Sequence, residues 1–266
     1  MPPSASASAP SPAARTREDA EYVIVLEKGL AVIEAFGLLR GPATLSELAQ
    51  ITGHTKASVR RCLLTLRKLG YAAQDGRQFR LASRALRLGH AYVASSALTQ
   101  VAQPILEMTS ERTRESASIA VLDSQDAVFV ARSTHRRSLS TGLEVGARLP
   151  AYCSATGRVL LAEVPKEEVR FLLNRMSRPA LTPQTRTGLR DILQEIDRAR
   201  QQGYALIDEE LEIGLRSIAV PLRTGRGELV AALSLSVATQ RMTRDAMVET
   251  LLPEMESARR KFAELL

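Results

Sequence analysis

TLSELAQITGHTKASVRRCLLTLRKLGYAAQDGRQFRL, residues 44–81, is the stretch on which the reading of this chain turns. Thr44 followed three residues later by Glu47 forms a capping box, so a helix opens at Leu45 with two orphan backbone donors satisfied. Leu45, Leu48, Ala49 and Ile51 then recur on one helical face. Thr52-Gly53-His54-Thr55 breaks the pattern: Gly53 suits a tight turn and Thr55 can cap a second helix. In that helix Val59, Cys62, Leu63, Leu66 and Leu69 form the apolar face, leaving Lys56, Ser58, Arg60, Arg61 and Thr65 outward. A helix that is apolar behind and basic or small in front, after a turn of this length, has the form of a recognition helix for a major groove. Next come two short strand-like runs around Asp75-Gly76-Arg77, a strong hairpin signal that presents Arg77, with Arg80 nearby, as a basic wing against phosphate or the minor groove. The plainer alternative is a helical hairpin whose arginines are merely solvated. Helix, turn, second helix and basic wing in that order favour DNA.

The charge is placed accordingly. Residues 21–95 carry eleven Lys and Arg against five Asp and Glu, a net of +6, whereas residues 96–266 carry 23 against 22. The formal +7 of the 266-residue chain therefore sits with the winged segment, where it would attract a polyanion and make binding salt-dependent. A membrane partner is not expected: no segment holds 18 uninterrupted apolar residues, and the basic stretch has helix-turn-helix geometry instead of a lipid-facing pattern. Residues 1–20, rich in Ser, Ala and Pro, are expected to be a disordered tail and lack the apolar run of a secretion signal. Two cysteines, Cys62 and Cys153, suit a reducing cytoplasm better than a disulfide scaffold.

A helix over Val25 to Leu39, stopped by Gly41-Pro42, should pack behind the two DNA-facing helices. Residues 21–83 thus form a winged helix-turn-helix domain and 84–109 a helical linker, with Pro104 expected to divide or kink it. The exposed apolar candidates Leu86, Leu88, Tyr92 and Val93, with the first helix, suggest a surface for a second copy. From residue 116 the period changes to strands at 116–122 and 127–132, helices at 159–161, 166–173 and 183–203 (capped by Thr182), strands at 205–208, 216–222 and 229–237, and a last helix over 241–266. That order describes an α+β domain, residues 110–266, around a mainly antiparallel sheet. It holds no converging nucleophile, acid–base pair or metal-ligand spacing: His135 is its only histidine and Cys153 stands alone. No catalytic residue, metal or cofactor is expected, and sensing of a small molecule is the natural task for it. Its acidic run, Asp208, Glu209, Glu210 and Glu212, reads as a solvated loop or as partners for arginines.

LEKGLAVIEAF (26–36), residues 44–71, RLPAYCSATGRVLLA (148–162), GYALIDEELEIGLRSIAVPL (203–222) and AALSLSV (231–237) together resemble the IclR family of bacterial transcriptional regulators, from about Val25 to Ala263. Within it the chain is most similar to regulators of protocatechuate and 4-hydroxybenzoate catabolism in the β-ketoadipate pathway, although Ser116-Ala117-Ser118 departs from the Ser-Cys-Ser associated with that branch. The resemblance implies an N-terminal winged helix, a linker helix and a C-terminal GAF-like effector domain. It also implies a homodimer, often paired into a tetramer, on double-stranded operator DNA, under control of a small organic acid such as β-ketoadipate, protocatechuate or 4-hydroxybenzoate. The family pocket falls on Cys153, Ser154, Ala155, Thr156 and Gly157, on Asp208 and Ser217, and on Ser234 and Ser236. The residues themselves allow this: Ser234 and Ser236 share one face of a strand, and hydroxyls with backbone amides can hold a carboxylate. Satisfying local backbone groups is the alternative role of those serines, and packing that of Cys153. Arg132, Arg148 and Arg216 are candidate partners for an acid or for the acidic run. The rival function is a winged-helix adaptor that acts through protein–protein contacts without sequence-selective DNA binding.

Overall fold

Helix α1 (Ile24–Leu38) leads into a two-residue strand β1 (Ala43–Thr44) and the helix pair α2 (Leu45–Thr52) and α3 (Lys56–Lys68). The computed structural model describes residues 21–39, 41–134 and 144–266; the expected tail over 1–20 and His135 lie outside the described residues. The capping box forms as the spacing requires, Thr44 N donating to Glu47 Oε2 at 2.7 Å, and Gly53 ends α2 at φ 67°, in the left-handed region. Thr55 caps α3 by accepting from Ser58 N. Strands β2 (Ala72–Asp75) and β3 (Gln78–Leu81) form the hairpin, with Gly76 at φ 53° in its turn, and β3 also pairs with β1. Val32, Phe36, Leu48, Val59, Leu63 and Phe79 close the core of this unit. Leu69 departs from the expectation: it lies past the end of α3 and is 52% exposed.

Contacts divide the chain into two compact units between Gly89 and His90. The segment expected to act as a linker contains helix α4 (Leu86–Ser95) and helix α5 (Ala97–Thr113). The break between them falls at Ser96, which caps α5, and α5 runs on through Pro104, so of the division or kink expected there the division does not occur. Ala102, Ile105 and Leu106 of α5 are buried in the core of the C-terminal unit, so this helix belongs to that unit's packing.

The C-terminal unit is built on a six-stranded, wholly antiparallel sheet in the order β6-β5-β4-β9-β8-β7. The strands are β4 (Ser116–Asp123), β5 (Asp126–Ser133), β6 (Arg148–Pro150), β7 (Ala205–Asp208), β8 (Leu215–Arg223) and β9 (Leu229–Ala238). Because side chains alternate along a strand, the sheet separates two cores. Ile119, Ile218, Val220, Leu233 and Leu235 pack with α5 and with α9 (Arg244–Leu265). Ala120, Phe129, Ile207, Ala219 and Ala232 face helix α6 (Ala155–Glu163), helix α7 (Lys166–Arg175) and helix α8 (Leu189–Gln202). Pro221 is tolerated in β8 because it lies beyond the end of β7, where the strand has a neighbour on one side only.

Two expected helix starts shift in this unit. Helix α8 starts at Leu189 behind Gly188, not at Pro183, because Thr182 and Thr185 turn their hydroxyls to the carbonyls of Glu209 and Glu210, both at 2.6 Å. Helix α6 begins earlier than its apolar pattern suggests, since Ser154 caps it by accepting from Gly157 N at 3.2 Å. Gly157 brings that first turn against the preceding segment: a Cβ there would stand 2.2 Å from Ala151 Cα and 2.5 Å from Ala151 O. Gly157→Ala is therefore expected to cost about 1–3 kcal/mol, because the obstacle is backbone and cannot rotate away. Chemical denaturation followed by circular dichroism reads this, and an unchanged midpoint would contradict the close approach.

Candidate functional site

The N-terminal unit presents its basic groups on two flanks of α3. On one flank Arg60 and Arg67 face the hairpin across a groove also lined by Thr44, Ser46, Gln74 and Arg77. Arg67, which the sequence reading passed over, donates to Gln74 Oε1 at 2.5 Å, and Gln74 Nε2 donates to the Gly76 carbonyl at 2.9 Å. This strut ties the recognition helix to the tip of the wing. On the other flank Ser58, Arg61 and Thr65 line a groove between α3 and α1 beside Leu26, Leu30 and Leu66. The structure thus brings Arg60 and Arg77 together and sets Ser58, Arg61 and Thr65 apart from them. Lys56 is exposed at the first turn of α3, and Arg80 is exposed on β3 next to buried Phe79. Tyr22, Val23, Val25 and Leu26 at the start of this unit are exposed apolar residues, as are Leu86, Leu88, Tyr92 and Val93.

In the C-terminal unit the register lines up the candidate serines. Ser236 of β9 lies opposite Ser116 of β4 on one side and Ser217 of β8 on the other; Ser234 lies opposite Ser118 and Ala219. Directly opposed residues of antiparallel strands point to the same face, so five hydroxyls share the face that α6 covers. Ser217 and Ser236 bond to each other at 2.9 Å, while the buried Ser116 hydroxyl has no hydrogen-bond partner. Ser154, Ala155, Thr156, Ser217, Ser234 and Ser236 line one small cavity of about 20 Å³, room for about one water. Its remaining wall is apolar: Phe129, Leu149, Ile207, Leu211 and Leu215. An apolar wall opposite hydroxyls and the open amide end of a helix is the chemistry of a site for a small acid with a hydrocarbon body.

Three of the candidates stand elsewhere. Cys153 is buried behind the cavity and its thiol is pushed up to about 11, chiefly by burial, so it stays protonated and inert. Gly157 is committed to the contact with Ala151. Asp208 lies on the opposite face of the sheet from Ser217, paired with Arg216 at 2.6 Å, and Arg216 also donates to the carbonyls of Thr239 and Met242. Arg148 is likewise engaged, by Asp123 and Asp126.

The acidic run is not a solvated loop. Glu210 is 1% exposed and receives a two-pronged bond from Arg158, itself 1% exposed, at 2.7 and 2.6 Å. Arg186 adds its backbone N–H and a guanidinium bond to the same carboxylate, and Arg158 Nε donates to the Tyr152 carbonyl. Glu209, at φ 56°, accepts from Gly214 N. These bonds lash the 209–214 turn, which supplies Leu211 to the cavity, to the helix that supplies Ala155 and Thr156. Sequence spacing carried no signal for a pair 52 residues apart. Among the described residues no group of three or more His, Cys, Asp or Glu could hold a metal, and no helix is long and apolar enough to cross a membrane.

Comparison with known proteins accords with both halves. Residues 25–76 match the IclR helix-turn-helix domain and residues 90–263 the bacterial transcriptional regulator IclR C-terminal domain. The chain is 40% identical to the Pca regulon regulatory protein of Pseudomonas putida, over 99% of this chain and 94% of that one. It is 35% identical to the p-hydroxybenzoate hydroxylase transcriptional activator of Acinetobacter baylyi, over 92% and 93% respectively. A solved IclR homologue from Microbacterium hydrocarbonoxydans, complexed with 4-hydroxybenzoate, superposes with a TM-score of 0.75 at 28% identity, covering 91% of this chain and 98% of that one.

Breaking the buried pair should be far worse than deleting it. Arg158→Met strands Glu210 and is expected to lower stability by about 3–5 kcal/mol, whereas Arg158→Met with Glu210→Met should recover most of that loss. Urea denaturation of the three proteins measures it; a double variant as unstable as the single one would contradict the assignment.

Proposed function

The chain belongs to the IclR family of bacterial transcriptional regulators, and we propose that it controls genes of aromatic-acid catabolism in the β-ketoadipate pathway, answering to a small carboxylate held in the serine-lined cavity. It is a DNA-binding regulator, not an enzyme. The observation that carries the reading is the pairing, in one chain, of a basic winged helix-turn-helix with a sheet unit whose cavity combines an apolar wall and hydroxyls. Lys56, Ser58, Arg60, Arg61 and Thr65 read the operator, and Arg77 and Arg80 of the wing hold its backbone. Ser154, Ala155, Thr156, Ser217, Ser234 and Ser236 contact the effector, with Cys153 and Gly157 shaping the wall behind them. Asp208 acts from the other face by fixing Arg216. The relatives named for the Pca regulon and for p-hydroxybenzoate hydroxylase, and the homologue holding 4-hydroxybenzoate, support β-ketoadipate, protocatechuate and 4-hydroxybenzoate as the acids to test.

The working form is a cytoplasmic homodimer, on which a tetramer can be built. One recognition helix covers only a few base pairs, and two half-sites give the specificity a regulator needs. The exposed Val25, Leu26, Leu86, Leu88, Tyr92 and Val93 support a contact between copies. In this reading 1–20 is a tail, 21–83 the DNA-binding domain, 84–109 the linker and 110–266 a GAF-like effector domain, for which the antiparallel sheet with helices on both faces is the support.

Fluorescence anisotropy on promoter DNA of the pathway tests this with the full chain. A cognate acid should shift operator affinity ~5–150-fold. Arg61→Ala should cost ~10–100-fold on the operator and narrow the gap to random DNA. Arg77→Ala should weaken all sequences alike and reduce the salt slope. Light scattering should return at least a dimer. Operator affinity unaffected by Arg61→Ala and by every acid, or a monomer mass at binding concentrations, would overturn the corresponding part.

A further inference from the structure

The sequence offered Arg132, Arg148 and Arg216 alike as partners for an acid, and the register separates them. Arg148 and Arg216 have carboxylate partners at 2.6 Å, and Arg158 and Arg186 are held by Glu210. Arg132 makes no ion pair within 4 Å among the described residues; its Nε donates to Thr134 Oγ1 at 3.2 Å. It lies on β5 opposite Ser118, which lies opposite Ser234 on β9. A bulge in β5 sets both Val130 and Ala131 with the core on the far side of the sheet, Ala131 opposite Ile119, and the register then puts Arg132 opposite Ser118 on the serine face. That row, Arg132–Ser118–Ser234–Ala219, runs beside the row Ser116–Ser236–Ser217 at the end of the sheet where the cavity lies.

The two rows have complementary chemistry. Partial burial pushes the Arg132 guanidinium down from its ordinary value, and the nearby Glu144 carboxylate, which pulls the other way, offsets only part of that. The buried Ser116 hydroxyl is unpartnered beside the Ser217–Ser236 pair, so the hydroxyl row keeps an unmet hydrogen bond in the ligand-free chain. Strands lie about 4.8 Å apart and like-facing residues about 6.8 Å apart along them, which sets Arg132 roughly 12 Å, Cα to Cα, from Ser236. After the side chains reach inward, that gap fits a small ring or short chain with a polar group at each end.

We propose that Arg132 receives the effector's carboxylate at the end of the sheet, while the Ser217–Ser236 hydroxyl pair takes the polar group at the ligand's other end. This rests on the reading of the cavity as the effector site. It makes Arg132 the residue that demands an acid and the hydroxyl row the element that demands a second polar group opposite it.

Calorimetric titration of the full-length chain with 4-hydroxybenzoate, benzoate and 4-hydroxybenzamide, alongside protocatechuate and β-ketoadipate, tests it. Wild type should bind the best of the acids, and the amide or ester of that acid ~10–100-fold more weakly. Arg132→Gln should lose the acid but not the amide, so that the two bind alike, and Arg132→Lys should restore part of the preference. Ser236→Ala should bring 4-hydroxybenzoate down to the level of benzoate and leave benzoate unchanged. Melting curves of each variant confirm that the fold is retained. An Arg132→Gln protein that still prefers acid to amide, or a wild type indifferent between them, overturns the assignment. If wild type binds none of the acids, the effector reading fails and this inference falls with it.

Discussion

One buried ion pair ties together the helix and the turn that flank the serine-lined cavity of the C-terminal unit. Arg158 sits in α6 and Glu210 in the turn after β7, each shut off from water. Isolated, either charge would be untenable in that place. Together they satisfy each other with two parallel bonds, and Arg186 and the Tyr152 carbonyl take up the remaining capacity. Such a pair adds little net stability over a well-packed apolar substitute, because desolvation offsets most of the attraction. What it does supply is position. A fork meeting a carboxylate permits only one relative placement of helix and turn, and the cavity lies between them.

Around that anchor the sheet does the sorting. Alternation sends the aliphatic side chains of β8 and β9 to α5 and α9, and the serines to the face under α6. Hydroxyls on a buried face are costly when unmet. Ser217 and Ser236 meet each other, Ser154 is used twice, as helix cap and as donor to the Pro150 carbonyl, and Ser116 is left over. The face is thus only partly satisfied by its own side chains, and the Ser116 hydroxyl in particular has a bond to gain. Gly157 contributes by absence, since its missing Cβ lets the first turn of α6 reach the segment that ends β6.

Legibility in the sequence followed the range of the physics. The capping box at Thr44, the turn at Gly53 and the hairpin at Gly76 are interactions between residues two to four apart, and each formed where the spacing put it. Strands β4, β5, β8 and β9 announced themselves by alternation. Ser154 as the cap of α6 was local too, but Pro150 to Ser154 has no apolar period to draw attention to it. What was hidden needed partners far along the chain. Thr182 and Pro183 have the form of a helix start, and only the carbonyls of Glu209 and Glu210 explain why those hydroxyls form a turn. The family resemblance puts Asp208 in the pocket. One step of register sends it to the other face, where Arg216 holds it. Arg60 and Arg61 look equivalent in a basic helix, yet a rotation of about 100° per residue puts one beside the wing and the other beside α1.

A cavity that holds about one water is too small for an aromatic acid, so the proposed effector would need an arrangement of this unit that differs from this one. That difference is the physical basis on which an effector can act, because a ligand shifts an equilibrium only by its differential affinity for two arrangements. The covalent frame and the hydrogen-bonded sheet are the stiff parts. Leu211 and Leu215 on the turn side and Phe129 and Leu149 on the other form the apolar wall of the cavity and have no side-chain hydrogen bond to give up. The 209–214 turn carries Leu211, and Arg158, Thr182, Thr185 and Arg186 all hold that same turn. A ligand that displaced this turn would therefore load α6 and the 182–186 turn through those bonds. The buried pair that fixes this helix against this turn would then also be the linkage through which filling the proposed site is felt.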